Sequence, residues 1–403
     1  MAALNACWMG LSFMWSALHP IVLPAMLLTL VPSSSKNTYL GLLTFAGLTI
    51  AMIVQPLSGA LSDRWQSRFG RRRPLLLAAT IMSCLFLALL GWSGGLLWLC
   101  IGYLGLQISS NTAQGPLQGL LRDRVPPAQL GTASSIKIFF DLLSLVAAGL
   151  VAGNLLETGT RGPSVVILVI LGLVVVSAAI TILFSAEAPA RPAPQVMQGP
   201  APQPSALAEG WTAGYRSLIA ERGMFLLGVY GLQAFGQYYL GDVLHVPDPA
   251  RQAGSLIAVV GAGTVVLVLA GGWLTDRLGA KRLLYAATLG TSVGLLFMGF
   301  ARNTAAVMAL GGLVGGGVGL FLTSNWALAN RLAPEAQAGK FLGLTNLATA
   351  GSAALARLQG PAVDFLNSSR PGDWIGYRGV FVFGAACVLA STYFLSRIGR
   401  STA

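Results

Sequence analysis

An all-α membrane protein, with twelve transmembrane helices in two six-helix bundles, is the fold this sequence predicts. Three observations carry that expectation. Of 403 residues, 55% are hydrophobic and only 9% charged, whereas a soluble chain devotes roughly a quarter of its residues to charge. Apolar windows of about 20 residues, enough to cross a ~30 Å hydrocarbon core, recur along the chain. A signature is also written twice between such windows, as GALSDRWQSRFGRRRP from Gly59 to Pro74 and as GGWLTDRLGAKR from Gly271 to Arg282. A repeat of that kind indicates two homologous halves.

The windows fall at Leu4–Leu30, Tyr39–Ser62, Pro74–Ser93, Leu96–Leu121, Thr132–Leu156 and Ser164–Ser185. After a break they resume at Met224–Val243, Ala253–Thr275, Leu283–Ala301, Thr304–Asn330, Phe341–Leu366 and Arg378–Ser396. The first lacks a basic leading region and a small-residue cleavage site, so it reads as a retained span. The break divides the chain into residues 1–185, 186–222 and 223–403. Its first part carries Pro189, Pro192, Pro194, Pro200, Pro202 and Pro204, which forbid a regular helix and make an extended tether. Trp211 to Arg222 reads as a short amphipathic helix on the inner leaflet, anchored by Trp211 and Tyr215.

Charge placement orients the spans. Of the 25 Lys and Arg, seventeen fall on one side, six on the other, and two (Lys137 and Arg357) inside spans. The positive-inside rule then puts both termini and the linker in the cytoplasm of a multi-pass protein of the cell (inner) membrane. The net charge of +12 is explained by topology, and no nucleic-acid partner is expected. Cys7, Cys84, Cys100 and Cys387 all sit in apolar runs with no pairing framework or metal spacing. No phosphate-binding glycine loop with its lysine is present, and no clustered nucleophile or acid–base constellation. Neither a cofactor nor an enzymatic activity is expected.

With these residues in view, the chain resembles a transporter of the major facilitator superfamily, Gly59–Arg73 and Gly271–Arg282 matching that superfamily's loop signature in each half. Val54 to Pro56, Ser62 to Arg64 and Ser67 to Pro74 resemble the sucrose–proton symporters and the related glycoside–pentoside–hexuronide carriers. Asn111-Thr-Ala-Gln114-Gly115-Pro116-Leu-Gln118 is similar to the fourth span of the sucrose carriers. The resemblance implies the major facilitator fold and sugar transport. The chain departs from those relatives in having Gln107 and Gln118 where sucrose carriers place an aspartate and an arginine. It has Ala51 and Gln55 where sodium-coupled members place acids.

In the fourth span Gln107, Asn111, Gln114 and Gln118 are spaced four, three and four apart, one polar stripe on a helix. Amides in hydrocarbon need partners, so the stripe faces the bundle interior or a water-filled cavity. Tyr230, Gln233 and Gln237 repeat the pattern in the seventh span, with Asn325 and Trp326 as further candidates in the tenth. Aromatic faces with amides suit a sugar, whose ring has apolar faces and a hydroxylated edge; helix glue is the alternative role. His19, before Pro20, reads as a partner to a backbone carbonyl at a kink. Asp141 lies about 14 Å along its span from Thr132, near the midplane, with Lys137 one turn away on the same face. An isolated ionised carboxylate there is costly, so a proton or a cation neutralises it. Asp141 with Lys137 is therefore the candidate proton-coupling site, and a permanent structural pair is the other reading. Asp63, Arg64, Gly70, Arg71, Arg72, Asp276 and Arg277 form the candidate conformational latch, Asp63 pairing with a nearby arginine or helix N-terminus.

The expectation is a monomeric secondary transporter in the lipid bilayer, moving a small polar solute with protons by alternating access. An exporter of drugs or amphipathic metabolites is the alternative within the same fold.

Overall fold

The structure is a computed structural model that describes residues 1–64, 67, 70, 72–92, 94–126, 129–157, 162–184, 213–332 and 338–398. Among these residues every regular element is helical. In the first half they are α1 (Ala2–Ala17), a π-helical turn (Leu18–Val22), α2 (Leu23–Leu30), α3 (Lys36–Arg64), α4 (Arg73–Gly91), α5 (Leu96–Arg124), α6 (Leu130–Glu157) and α7 (Pro163–Phe184). Then come α8 (Ala213–Asp242), α9 (Pro249–Leu278), α10 (Ala280–Met298), α11 (Thr304–Leu332), α12 (Ala338–Arg357), α13 (Gly360–Ser369) and α14 (Ile375–Arg397). Ala2–Leu30 counts as one span, and α12 and α13 are separated only by Leu358 and Gln359, so the segments make twelve spans. Eight are apolar enough to cross a membrane on length and composition alone. Those that fall short include α5 and α8, the two helices that carry the amide stripes.

Large apolar side chains cover the outside. Leu97, Phe184, Leu269 and Phe365 are 68–77% exposed, an arrangement suited to lipid and intolerable at such density in water. The chain divides into two compact units, Met1–Pro194 with Asp248–Ser255 and Gln195–Pro247 with Leu256–Ala403. In the first, α1 packs on α6 and α7, α4 on α5 and α7, and α3 on α5. In the second, α8 packs on α12 and α14, and α10 on α11 and α14, the same pairing six spans on.

Small residues make the crossings. A Cβ on Gly115 would overlap Ser58 Oγ, closing α5 against α3. One on Gly315 or Gly319 would overlap a backbone carbonyl of α9, at Val260 or Thr264. Such contacts are the usual means of close packing where lipid removes the hydrophobic drive between helices.

Two local readings are corrected. The expected interfacial helix ending at Arg222 is instead the beginning of α8, which runs unbroken from Ala213 to Asp242. Tyr215, Leu218, Glu221 and Arg222 are buried within the unit, so Tyr215 is no interfacial anchor; Trp211 and the proline-rich stretch 186–210 lie outside the described residues. The eleventh span is interrupted, its two segments meeting at the Gly360-Pro361 start of α13.

Candidate functional site

In the N-terminal unit, α6 sets Lys137 and Asp141 one turn apart, and Lys137 Nζ donates to Asp141 Oδ2 at 2.8 Å. Across from them α1 presents Trp8, Ser12 and Trp15, spaced to share one face. Ser12 Oγ donates to Asp141 Oδ1, and Lys137 Nζ sits 4.3 Å from the centre of the Trp8 ring. These groups and Gln114 from α5 line a cavity of about 420 Å³. The Lys137 and Asp141 side chains remain 29% and 33% exposed. Both carboxylate oxygens are thus engaged, and the pair is still within reach of the cavity. Two indoles beside an amide and an ion pair give the cavity both apolar and polar lining, as a polyol requires.

Beside that cavity, the π turn containing His19 and Pro20 turns the imidazole onto Trp15, ring centres 4.8 Å apart. Single π turns of this kind are common at functional sites. His19 Nε2 lies 3.0 Å from Tyr103 Oη and 3.3 Å from Gln107 Nε2. Gln107 Nε2 donates to Tyr103 Oη at 2.8 Å, and Asn111 Nδ2 donates to Gln107 Oε1 at 3.1 Å. His19 thus meets side chains of α5. The amide stripe also divides. Gln107 and Asn111 are buried and bonded to each other, Gln114 lines the cavity, and Gln118 is exposed.

In the C-terminal unit, Gln237 is buried and Gln233 half-buried. Tyr230 O accepts from Arg357 Nη1 at 3.3 Å. Asn325 is fully buried and works at both ends: Oδ1 accepts from Arg222 Nη1 at 2.6 Å, and Nδ2 donates to Glu221 Oε2 at 2.6 Å. Arg222 Nε donates to Thr349 Oγ1 at 2.9 Å. Trp326 is exposed, 5.9 Å from the Arg222 guanidinium. Sequence reasoning missed Glu221 and Arg222. The available signal was Leu218 and Phe225, three before and four after Glu221, which places the acid on an apolar face.

The signature loop closes around Arg72, only 5% exposed. Its Nε donates to Asp123 Oδ2 at 2.6 Å, its Nη2 to Asp63 Oδ1 at 2.8 Å and its Nη1 to Ser62 Oγ at 3.0 Å. Burial weighs against the charge, yet Asp123 and Asp63 hold the guanidinium above its ordinary value. Gly70 makes the turn into this residue with φ of 101°, a region that glycine enters freely. The pairing expected of Asp63 is present, and all of it lies within one unit, bolting α3, α5 and the start of α4 together. Arg64 is exposed, and Arg71 lies outside the described residues. In the second copy Asp276 is exposed and Arg277 stacks on Trp273 at 4.2 Å. Thr275, in the place of Ser62, meets Ser324 at 3.1 Å, and among the described residues no ion pair joins Asp276 to a guanidinium.

A twelve-span helical membrane protein with a twofold internal pattern and a polar cavity is thereby defined. The chain belongs to the Major Facilitator Superfamily, whose profile matches residues 6–357. It is similar to the sucrose transport protein SUT4 of Oryza sativa subsp. indica, 31% identical over 149 residues, covering 32% of this chain and 24% of that protein. It is also similar to the general alpha-glucoside permease of Schizosaccharomyces pombe, 38% identical over 58 residues, 14% of this chain and 10% of that protein. The chain spans about a quarter or less of the length of these relatives. Among solved structures, a D-xylose-proton symporter superposes with a TM-score of 0.76 at 15% identity, covering 99% of this chain and 97% of that one. A bacterial homolog of the lysosomal transporter Spinster, inward-facing and occupied, gives 0.77 at 15% identity with the same coverage. At such identities the likeness is one of fold.

Proposed function

We propose that this chain is a secondary active transporter that moves a small neutral polyol, of the sugar or glycoside class, across the cytoplasmic membrane by alternating access. Protons drive it, Asp141 is the coupling carboxylate, and the protein works as a monomer with both termini in the cytoplasm. The observation that carries the reading is the cavity in which Asp141, Lys137 and Gln114 face Trp8 and Trp15. The names of the sucrose and alpha-glucoside relatives support the solute class. The bias of Lys and Arg supports the orientation.

Export of drugs or amphipathic metabolites draws on the same indoles. Lys137 weighs against cationic ones, because it cancels the Asp141 charge that would attract them. Tryptophan quenching in purified protein, with the part lost in Trp8→Phe and Trp15→Phe assigned to the cavity, separates the two. Saturable quenching by neutral glucosides, weakened by Gln114→Leu, fits sugar transport. Quenching by hydrophobic cations alone would overturn it.

A further inference from the structure

The deepest acid among the described residues takes no part in the cavity just described. Glu221 is 0% exposed. Its Oε2 accepts one hydrogen bond, from Asn325, and its Oε1 has no hydrogen-bond partner among the described residues. Arg222 follows it directly in the chain, but adjacent side chains on a helix point in different directions. Arg222 spends its hydrogen bonds on Asn325 and Thr349. The two charges communicate through one amide, whose oxygen faces the cation and whose NH₂ faces the acid.

Among the described residues no other group hydrogen-bonds the Glu221 carboxyl. On α8 itself Tyr215 donates to or accepts from Thr345 at 2.8 Å, and the Tyr230 phenol interacts with Arg222 and Arg357. From α12 come the hydroxyls of Thr345 and Thr349, and Arg357, which reaches the Tyr230 carbonyl. From α11 comes Asn325. On α14, Tyr393 and Arg397 bond each other on an exposed face. An ionised carboxylate with a bare, fully buried oxygen is the arrangement a dry interior tolerates least, and a proton on Oε1 removes the charge.

We propose that Glu221 is a second proton-binding carboxylate, which holds a proton on Oε1 in the closed C-terminal unit and exchanges it when that unit admits water. On opening, the Oε1–H bond breaks and the proton passes to water as hydronium. The carboxylate left behind is compensated by Arg222 through Asn325. On closing, hydronium returns the proton and the neutral acid is resealed. The site rests on the transport reading for its purpose and adds to it a proton carried apart from Asp141.

Infrared difference spectroscopy of the full chain in lipid nanodiscs, titrated with pH and without solute, tests this separately from sugar transport. The expected result is a C=O stretch of a protonated carboxyl that is lost in Glu221→Gln, persists in Asp141→Asn and shifts with ¹³C-glutamate labelling. Arg222→Gln is expected to move its titration midpoint up by about 1–3 pH units, the size of the effect of a nearby opposite charge. Should Glu221→Gln not fold, the labelled wild type and Asn325→Ala still decide. Asn325→Ala removes the donor to Oε2 and so raises the band's frequency. No protonated-carboxyl band at any pH where the protein is folded overturns the proposal. So does a band indifferent to ¹³C-glutamate, or one unchanged in both Glu221→Gln and Asn325→Ala. None of these outcomes bears on whether sugar is carried.

Discussion

Gly119 faces Arg72 so closely that a Cβ there would overlap the guanidinium Nη1 and Cζ. Gly119→Ala therefore sets two effects of opposite sign against each other. Alanine in place of glycine inside α5 stabilises the helix by about 1 kcal/mol. Eviction of Arg72 costs its contact with buried Ser62, about 1.5–2 kcal/mol for a hydrogen bond from a charged donor. It also costs two carboxylate contacts. The Asp63 and Asp123 side chains are 59% and 36% exposed, so each is screened to about 0.5–1 kcal/mol. The loss totals about 2.5–4 kcal/mol, and Gly119→Ala is expected to destabilise by about 1.5–3 kcal/mol. In an Arg72→Ala background nothing remains to evict, and the same substitution is expected to stabilise by about 1 kcal/mol. Equilibrium unfolding in mixed micelles measures the cycle, and the coupling between the two sites is its result. Equal stabilisation by Gly119→Ala in both backgrounds would refute the bolt.

Gln114→Leu is expected to weaken solute binding by roughly 1–3 kcal/mol with stability unchanged, because its amide lines the cavity. Asn111→Leu is expected to do the reverse, losing stability through the Gln107 bond while affinity holds; thermal shift read beside tryptophan quenching separates them. Gly315→Ala is expected to lower stability by about 1–3 kcal/mol, since its Cβ meets backbone that no rotamer change can move. Micelle unfolding without solute reads that change, and an unaltered midpoint would deny the close α9–α11 crossing.

The span pattern was legible in the sequence because a bilayer leaves the backbone no alternative to long helices, and length with composition reports that directly. The Lys137–Asp141 pair was legible for a similar reason, since one helical turn separates the two. For Asp63 the sequence pointed to a nearby arginine or helix N-terminus without singling out Arg72, nine residues on. Ser12, Trp8 and Asp123 escaped, since each joins its site from a helix far off in sequence. Glu221 and Arg222 escaped for a different reason. Charges next to a proline-rich stretch look the same in one dimension whether they lie on a lipid surface or inside a bundle. Only the apolar residues at Leu218 and Phe225 distinguish the two. The amide stripe was read as one surface because four residues share a helix face. Neighbouring helices then divided it among a buried network, a cavity wall and an exposed position at Gln118.

Uptake of a labelled glucoside by proteoliposomes with an imposed pH gradient bears most directly on the central claim of proton-driven sugar movement through the Asp141 cavity. With one proton per solute, the wild type is expected to concentrate sugar up to about tenfold per pH unit of gradient. Asp141→Asn is expected to lose that accumulation and keep downhill exchange. Accumulation that survives in Asp141→Asn, or a wild type that neither concentrates nor exchanges any neutral glucoside, would contradict it.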